Sequence, residues 1–424
     1  MGWYDDFGAG TNATKISNVG AGVNTFYDKK FLETVKNTLR LIPFGQRRPL
    51  PMGEGKTIEF FRWLNIAASV SGALLTEGLN PDATQIKGQK LTAVLKEYGA
   101  FAQLTSLLKQ THIDRNVEGA AELFGEHAGT IIDLITKYQM SSNGAYPLAA
   151  DLAAASTFSN IVDSATSTTL VDAELNANSA YGDANDDLNQ SIVIITSGTG
   201  YGQARIVTDF VTSGGTMTIS PAWDINPVAG DTYVVTTPDE ITAGDDLDYA
   251  NVKKARTILA TYKAQRFPGG YYIGIVSPDM ISGLMEDTDW KNVHTYKDQT
   301  NGIFDAEIGK FAGVRFIEDT NPFAFPVAGR GTSGTASGPG ADGANYSATG
   351  AVGSALILGK NAFGVTTMKN KMGQIPRAPI IVKTSGPSDT SNPLNRYGTV
   401  GWALEFVAKS LNPLFAVSIW CDVS

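Results

Sequence analysis

One cysteine, three histidines and 18% charged residues leave little reactive chemistry in 424 positions. Cys421 has no partner cysteine in the chain. That excludes an internal disulfide and a cysteine-ligated metal cluster, and it fits a protein made in a reducing compartment. His112, His127 and His294 are scattered: the first two stand 15 positions apart and no H-E-x-x-H occurs, Glu126-His127 being only an adjacent pair. Satisfied or exposed histidines are expected, not metal ligands. There is no run of about 18 apolar residues, so no membrane-spanning helix is expected. The N-terminus carries Asp5 and Asp6 where a secretion signal would be basic and then apolar. No basic stripe with interleaved aromatics appears, which argues against sequence-specific reading of nucleic acid. No G-x-S-x-G elbow is found in the Gly/Ser-rich segment 329–353. Catalytic, cofactor-binding and metal-binding residues are therefore all expected to be none.

Lysine is also missing between Lys137 and Lys253. From Pro147 to Thr237 there are ten acids, Asp151, Asp163, Asp172, Glu174, Asp183, Asp186, Asp187, Asp209, Asp224 and Asp231, against one base, Arg205. That stretch carries the whole formal charge of −9 and the rest of the chain is neutral. So sharp a break marks a separate module. Its apolar segments are short and β-rich ("TTLVDAEL", "SIVIIT", "ARIVTDF", "TMTIS", "DTYVVTT"), with turn residues between them, and read as a small all-β domain.

Within it, Gly198, Gly200 and Gly202 follow the apolar run Ile192–Ile195. A phosphate cradle would need a helix directly after the glycines, whose N-terminus supplies free N–H donors. The next segment, "ARIVTDF", is instead β-branched, so a hairpin is expected, with the glycines serving turns of positive φ. Asp186-Asp187 in "GDANDD" reads as an exposed turn, with a loose calcium site as the alternative. Arg47-Arg48, between Gly45 and Pro49, reads as a backbone anchor or as solvated charge.

With 45 glycines and 42% hydrophobic residues, the rest suits a folded chain of two or three domains. Residues 1–55 show no core of their own and read as an extended arm kinked by Pro43, Pro49 and Pro51. "KTIEFFRWL" from Lys56 and Lys90–Leu104 read as two strands. About 25 residues without a clear element separate them, a length unusual inside a compact domain and natural for a hairpin reaching to another subunit. Ile113, Val117, Ala120, Ala121, Phe124, Ala128, Ile131, Ile132 and Ile135 keep a 3.6-residue period, predicting a long helix capped by Asp114 and ending near Met140. Leu247–Tyr262 and a segment opened by Pro278 predict two further helices. "GGYYIGIVS", "GVRFIED", "SALILG", "FGVTTM", "APIIVKT", "VGWALEFVAK" and "FAVSIWCDV" predict strands.

Several segments are similar to one family. "FYDKKFLETVKNTLRLIPFGQRRPLPMGEGKTIEFFRW" resembles the N-terminal signature of the N-four-like (Enquatro-type) major capsid proteins of tailed phages. "LTEGLNPDATQIKGQKLTAVLKEYGAFAQLTSLL" resembles their extended loop and "AAELFGEHAGTIIDLIT" their spine helix. "GGYYIGIVSPDMISGLMEDTDW" and "IFDAEIGKFAGVRFIEDT" resemble axial-domain segments, and "YGTVGWALEFVAK" the closing strands. The likeness covers roughly 23–146 and 239–424, in order. It implies an α+β, Hong Kong 97-type phage capsid fold with these parts: N-terminal arm (1–55), extended-loop hairpin (56–105), peripheral domain with spine helix (106–146), axial domain (239–352) and closing strands of the axial and peripheral domains (353–424). The acidic all-β segment (147–238) departs from the family pattern and reads as an insertion domain on the outer face, removable by joining Gly144 to Asp239.

The implied role is structural, not enzymatic. Copies form hexamers and pentamers of an icosahedral shell around double-stranded DNA, which is contacted non-specifically. Portal, scaffolding or decoration proteins are the implied partners, in a virion assembled in the bacterial host cytoplasm. Two alternatives stand beside this: an encapsulin-like nanocompartment shell, and a nucleotide-dependent enzyme built on the Gly198–Gly202 loop.

Overall fold

The computed structural model describes residues 40–63, 88–105, 116–150, 157–175, 188–236, 246–287, 310–320, 352–368, 380–383 and 396–422, save 52 and 190, with residues 74, 77, 86 and 185 singly. The expected arm before residue 40, the loop 66–85 apart from residues 74 and 77, the Asp114 cap, His112, His294, Asp186-Asp187 and the segment 329–351 lie outside them.

Three α-helices and four sheets make up the described part. Helix α1 is Asn116–Asn143, three residues longer at its end than the periodicity predicts. Helix α2 is Tyr249–Thr261, capped by the Asp248 carboxylate, which accepts from Asn251 N at 2.7 Å. Helix α3 is Pro278–Glu286. Ser277 caps it and Pro278 fills the first turn, where no N–H is required.

A six-stranded sheet runs in the order Lys310–Phe311, Val314–Glu318, Tyr272–Val276, Val352–Leu358, Ala416–Asp422, Tyr146–Ala149. It is covered on both sides, which explains the unbroken apolar run of Tyr272–Val276, buried at every position. Tyr272, Val276, Phe316, Ala355 and Ile357 pack with Val252, Ala255 and Leu259 of α2 and Met280 and Leu284 of α3. The alternate residues Ile273, Ile275, Leu356 and Leu358 join α1, through Ala128, Ile132 and Met140, in a second core. That core also takes in Trp402, Leu404 and Phe406 of the long strand Tyr397–Ser410. This strand organises a five-stranded sheet with Lys96–Thr105, Ile380–Lys383, Phe363–Thr367 and Gln46–Arg47.

Where helix meets sheet, a buried ion cluster joins three segments. Lys137 of α1 is fully buried between Asp133, 3.2 Å away one turn earlier, and Asp319 just beyond Val314–Glu318. Asp133 also accepts from Leu41 N at 3.3 Å.

Three expectations change. Residues 40–50 are not a coreless arm: Leu41 is fully buried in the second core and Gln46–Arg47 runs parallel to Phe363–Thr367. Lys90–Leu104 is not one strand. Gly88–Val94 pairs with Thr57–Trp63, the chain turns at buried Leu95, and Lys96–Thr105 joins the five-stranded sheet. The alternation slips by one residue at the exposed pair Lys96-Glu97, so the inward-facing positions change from odd to even numbers at the switch. Residues 147–149, grouped by charge with the acidic segment, belong to Tyr146–Ala149, an edge strand parallel to Ala416–Asp422. An edge tolerates Pro147. Val352–Leu358, at the start of the expected closing strands, sits in the six-stranded sheet beside Tyr272–Val276.

The acidic segment forms a seven-stranded antiparallel sheet in the order Thr157–Ile161, Thr232–Thr236, Ile192–Ile195, Ala204–Val211, Thr216–Ser220, Thr169–Val171, Ser164–Ala165. Its two sides have different neighbours. Val193, Ile195, Val207, Phe210, Tyr233 and Val235 build the module's own core. The alternate residues Ile192, Ile194, Ala204, Ile206 and Val234 pack against Leu414, Trp420, Tyr146 and Tyr262 of the main body. The module is thus docked through three strands of its sheet, Ile192–Ile195, Ala204–Val211 and Thr232–Thr236, as well as joined at its ends.

Candidate assembly junction

The glycine-rich turn between Ile192–Ile195 and Ala204–Val211 is a hairpin connection, with Ala204 opposite Ile194 and Ile206 opposite Ile192. Gly198 (φ +83°) and Gly202 (φ +74°) have the positive φ expected of them. Gly200 does not. It is instead close to Pro227, 3.1 Å from where a Cβ would stand. The backbone donors a phosphate would use are occupied. Asp231, almost fully buried, accepts from Thr199 N at 3.0 Å, Gly200 N at 3.3 Å and Val228 N at 3.1 Å through one oxygen. A Cβ on Gly198 would fall inside its carboxylate. The turn carries its own anion, and it leads into a strand, not a helix.

The other side of the turn meets the main body at Arg62. Thr57–Trp63 and Gly88–Val94 form a two-stranded hairpin, and Arg62 stands opposite Gln89. Its Nε and Nη2 both donate to Gln89 Oε1, at 3.0 and 2.6 Å. Nη1 donates to Leu411 O at 3.1 Å, just past the long strand Tyr397–Ser410, and Nη2 to Tyr201 O at 3.0 Å in the glycine turn. Burial lowers the Arg62 pKa, opposed by Tyr201 and Asp224. Asp224 of the module acts likewise on two further buried cations. It sits 3.0 Å from Arg205, the module's only base, and it opposes the burial that lowers the pKa of Lys409 in the long strand. A cavity of about 330 Å³ opens at this seam, between Gln46, Arg48, Trp63, Tyr201, Tyr262 and Asn412.

Arg47 and Arg48 are explained mainly by backbone. Arg47 lies in the short parallel strand, and Arg48 N donates to Val365 O at 3.1 Å while its guanidinium lies over Phe60 at 5.8 Å. His127 Nδ1 accepts from Trp402 Nε1 at 3.1 Å, joining α1 to the five-stranded sheet. Among the described residues no group of three or more His, Cys, Asp or Glu could hold a metal ion, and no helix is long and apolar enough to cross a membrane.

The hairpin also presents an uncovered apolar face. Along Thr57–Trp63, Phe60 points into a small core with Leu91, Ala93 and Leu411. Phe61 and Trp63 point away, 51% and 67% exposed, and stack edge-to-face with centroids 4.8 Å apart. Separately, Phe101 in Lys96–Thr105 of the five-stranded sheet is 69% exposed. The exposed Phe61–Trp63 pair is more than the single scattered apolar residues of an ordinary surface.

Residues 235–380 match the phage capsid protein family. No curated protein matches the chain. Solved structures match it nearly end to end. The capsid of cyanophage P-SCSP1u is 12% identical, with a TM-score of 0.52, covering 97% of both chains. The capsid asymmetric unit of cyanophage Pam1 is 13% identical, with a TM-score of 0.52, covering 95% of this chain and 97% of that one. The capsid of Ralstonia phage GP4 is 12% identical, with a TM-score of 0.50, covering 95% and 96%. At these identities the likeness shows the fold: mixed α and β, few helices and many strands, as in phage capsids.

Proposed function

We propose that the chain is the structural major capsid protein of a tailed phage, related to the N-four-like capsid proteins. Copies of it form the hexamers and pentamers of an icosahedral shell around double-stranded DNA. The observation that carries this reading is the span of the fold: a capsid chain from another phage is covered over 97% of both lengths. The match of 235–380 to the phage capsid family favours a virion over a cargo-holding compartment of similar shell. In this reading the hairpin of 57–63 and 88–94 is the extended loop, α1 the spine helix of the peripheral domain, and the six-stranded sheet with α2 and α3 the axial domain. The N-terminal arm adds overlap between subunits. Portal and scaffolding or decoration proteins are further partners, and assembly takes place in the bacterial cytoplasm.

The exposed Phe61, Trp63 and Phe101 supply apolar area for a neighbouring copy. Each contact can be weak, because a subunit held by several neighbours must lose them all to leave. The acidic module faces outward: a charge of −9 per copy against packaged phosphate would be repelled, and screening acts only beyond about 10 Å.

A double substitution, Phe61→Ser with Trp63→Ser, tests the reading. Both side chains are exposed in the single chain, so its unfolding midpoint should hold within a few degrees while shell yield collapses. Normal shells from this variant would contradict the assigned contact.

A further inference from the structure

The hydrogen bonds of Arg62 join three parts of the fold: its own hairpin, the end of the long strand in the five-stranded sheet, and the acidic module. Its partners lie 27, 349 and 139 positions away in sequence. We infer that Arg62 is a positioning residue that sets the posture of the assembly hairpin from the inserted module, so that the module governs how the hairpin is presented to a neighbouring copy. The inference rests on the proposed capsid role for its consequence, but not for its geometry.

Three features support it. The contact is planar and multidentate: two nitrogens of one guanidinium hold Gln89 across the hairpin while the remaining donor directions reach Leu411 O and Tyr201 O. A lysine ammonium has no such fork. The module side is shaped to receive it. A Cβ on Gly202 would stand 2.9 Å from Arg62 Nη2, so the residue that must be glycine for its φ of +74° also clears the approach of the guanidinium. And the module is fixed where it makes this contact. Its turn is braced by Asp231 and its sheet face is packed on Leu414 and Trp420, so Tyr201 O is a rigid anchor for a hairpin whose own core is small.

Gly202→Ala reaches the contact from the module side and Arg62→Lys from the hairpin side. Gly214→Ala is the control. Gly214 has the same backbone demand, φ +86°, in another turn of the module, with nothing within 4 Å of the added methyl. Amide exchange is followed in the unassembled chain, and particle size after assembly. Both Arg62→Lys and Gly202→Ala should speed exchange across 57–63 and 88–94 roughly five- to thirtyfold. Their combination should add little beyond either, while Gly214→Ala leaves the hairpin unchanged. Particles from the two variants should be heterogeneous in diameter where wild-type particles are uniform. Hairpin exchange unchanged in Gly202→Ala, or raised equally by Gly214→Ala, would overturn the coupling. Should the wild-type chain form no shells, the assembly reading fails by itself, and the exchange arm still decides whether module and hairpin are linked.

Discussion

Asp231 occupies the space that a side chain at position 198 would need: a Cβ built on Gly198 lies well inside contact distance of its carboxylate. The carboxylate in turn holds the amides of Thr199, Gly200 and Val228. Two consequences are separable, stability of the turn and vacancy of the cradle. Gly198→Ala combines a forbidden contact with a strained φ and should destabilise the module by at least about 2 kcal/mol. Gly202→Ala should come next and Gly200→Ala, at an ordinary φ, should cost least. Urea unfolding gives the order. Titration calorimetry with ATP and NAD should show no binding by the wild-type chain, and measurable heat would reinstate a nucleotide site.

Lys137 sits unexposed between Asp133 and Asp319. Lys137→Met keeps much of the length and removes the cation, leaving two buried carboxylates facing each other. Breaking a buried ion cluster this way costs about 3–5 kcal/mol. Denaturant midpoints should fall accordingly. A drop under about 1 kcal/mol would mean that water reaches the cluster.

Alkaline pH should loosen the seam between module and main body. Burial, with a smaller contribution from Tyr262, pushes the Tyr146 hydroxyl up to about 12, above the value near 10 of an unfolded tyrosine. A raised folded pKa favours the neutral folded form. Its contribution is complete below about pH 10 and is lost as pH rises toward about 12, because the unfolded chain ionises first. Tyr201, Tyr233 and Tyr262, also raised by burial, act in the same direction. Tyr146→Phe should therefore flatten, without abolishing, the fall in thermal midpoint over that window. An unchanged slope would show that Tyr146 is open to solvent.

Excision of the module should depend on where the cut falls. Joining Gly144 to Asp239 removes Tyr146–Ala149, an edge strand of the six-stranded sheet, and should give insoluble chain. Joining residue 150 to residue 246 by a short linker keeps that strand but uncovers Leu414, Trp420 and Tyr262. The shorter excision should fold with a lowered midpoint and aggregate on warming. Sedimentation before and after heating distinguishes the two designs. Equal solubility of both would show that neither the strand nor the docked face matters.

What the sequence revealed was local. The period of α1, the β-branched runs of the module and the strand after Gly202 each announce themselves within a dozen residues. The acidic composition isolates the module to within a few positions. What stayed hidden was long-range. "YPLA" is short, contains a proline and finds its parallel partner at Val417–Trp420. The sheet change after Leu95 leaves only a one-residue slip in the alternation, at Lys96-Glu97, inside what otherwise reads as one run. Arg62 is an ordinary strand arginine until the fold brings Tyr201 and Leu411 to it. The two-sided burial of Ile192–Ile195 is visible as an unbroken apolar run, but which body covers the second side is not.

Electron cryomicroscopy of the purified full-length chain tests the central claim most directly. The account predicts closed shells built from rings of five and six copies, with the acidic module as a protrusion on the outer surface. Fields holding only single copies, with no five- or six-membered ring at any concentration, would contradict it.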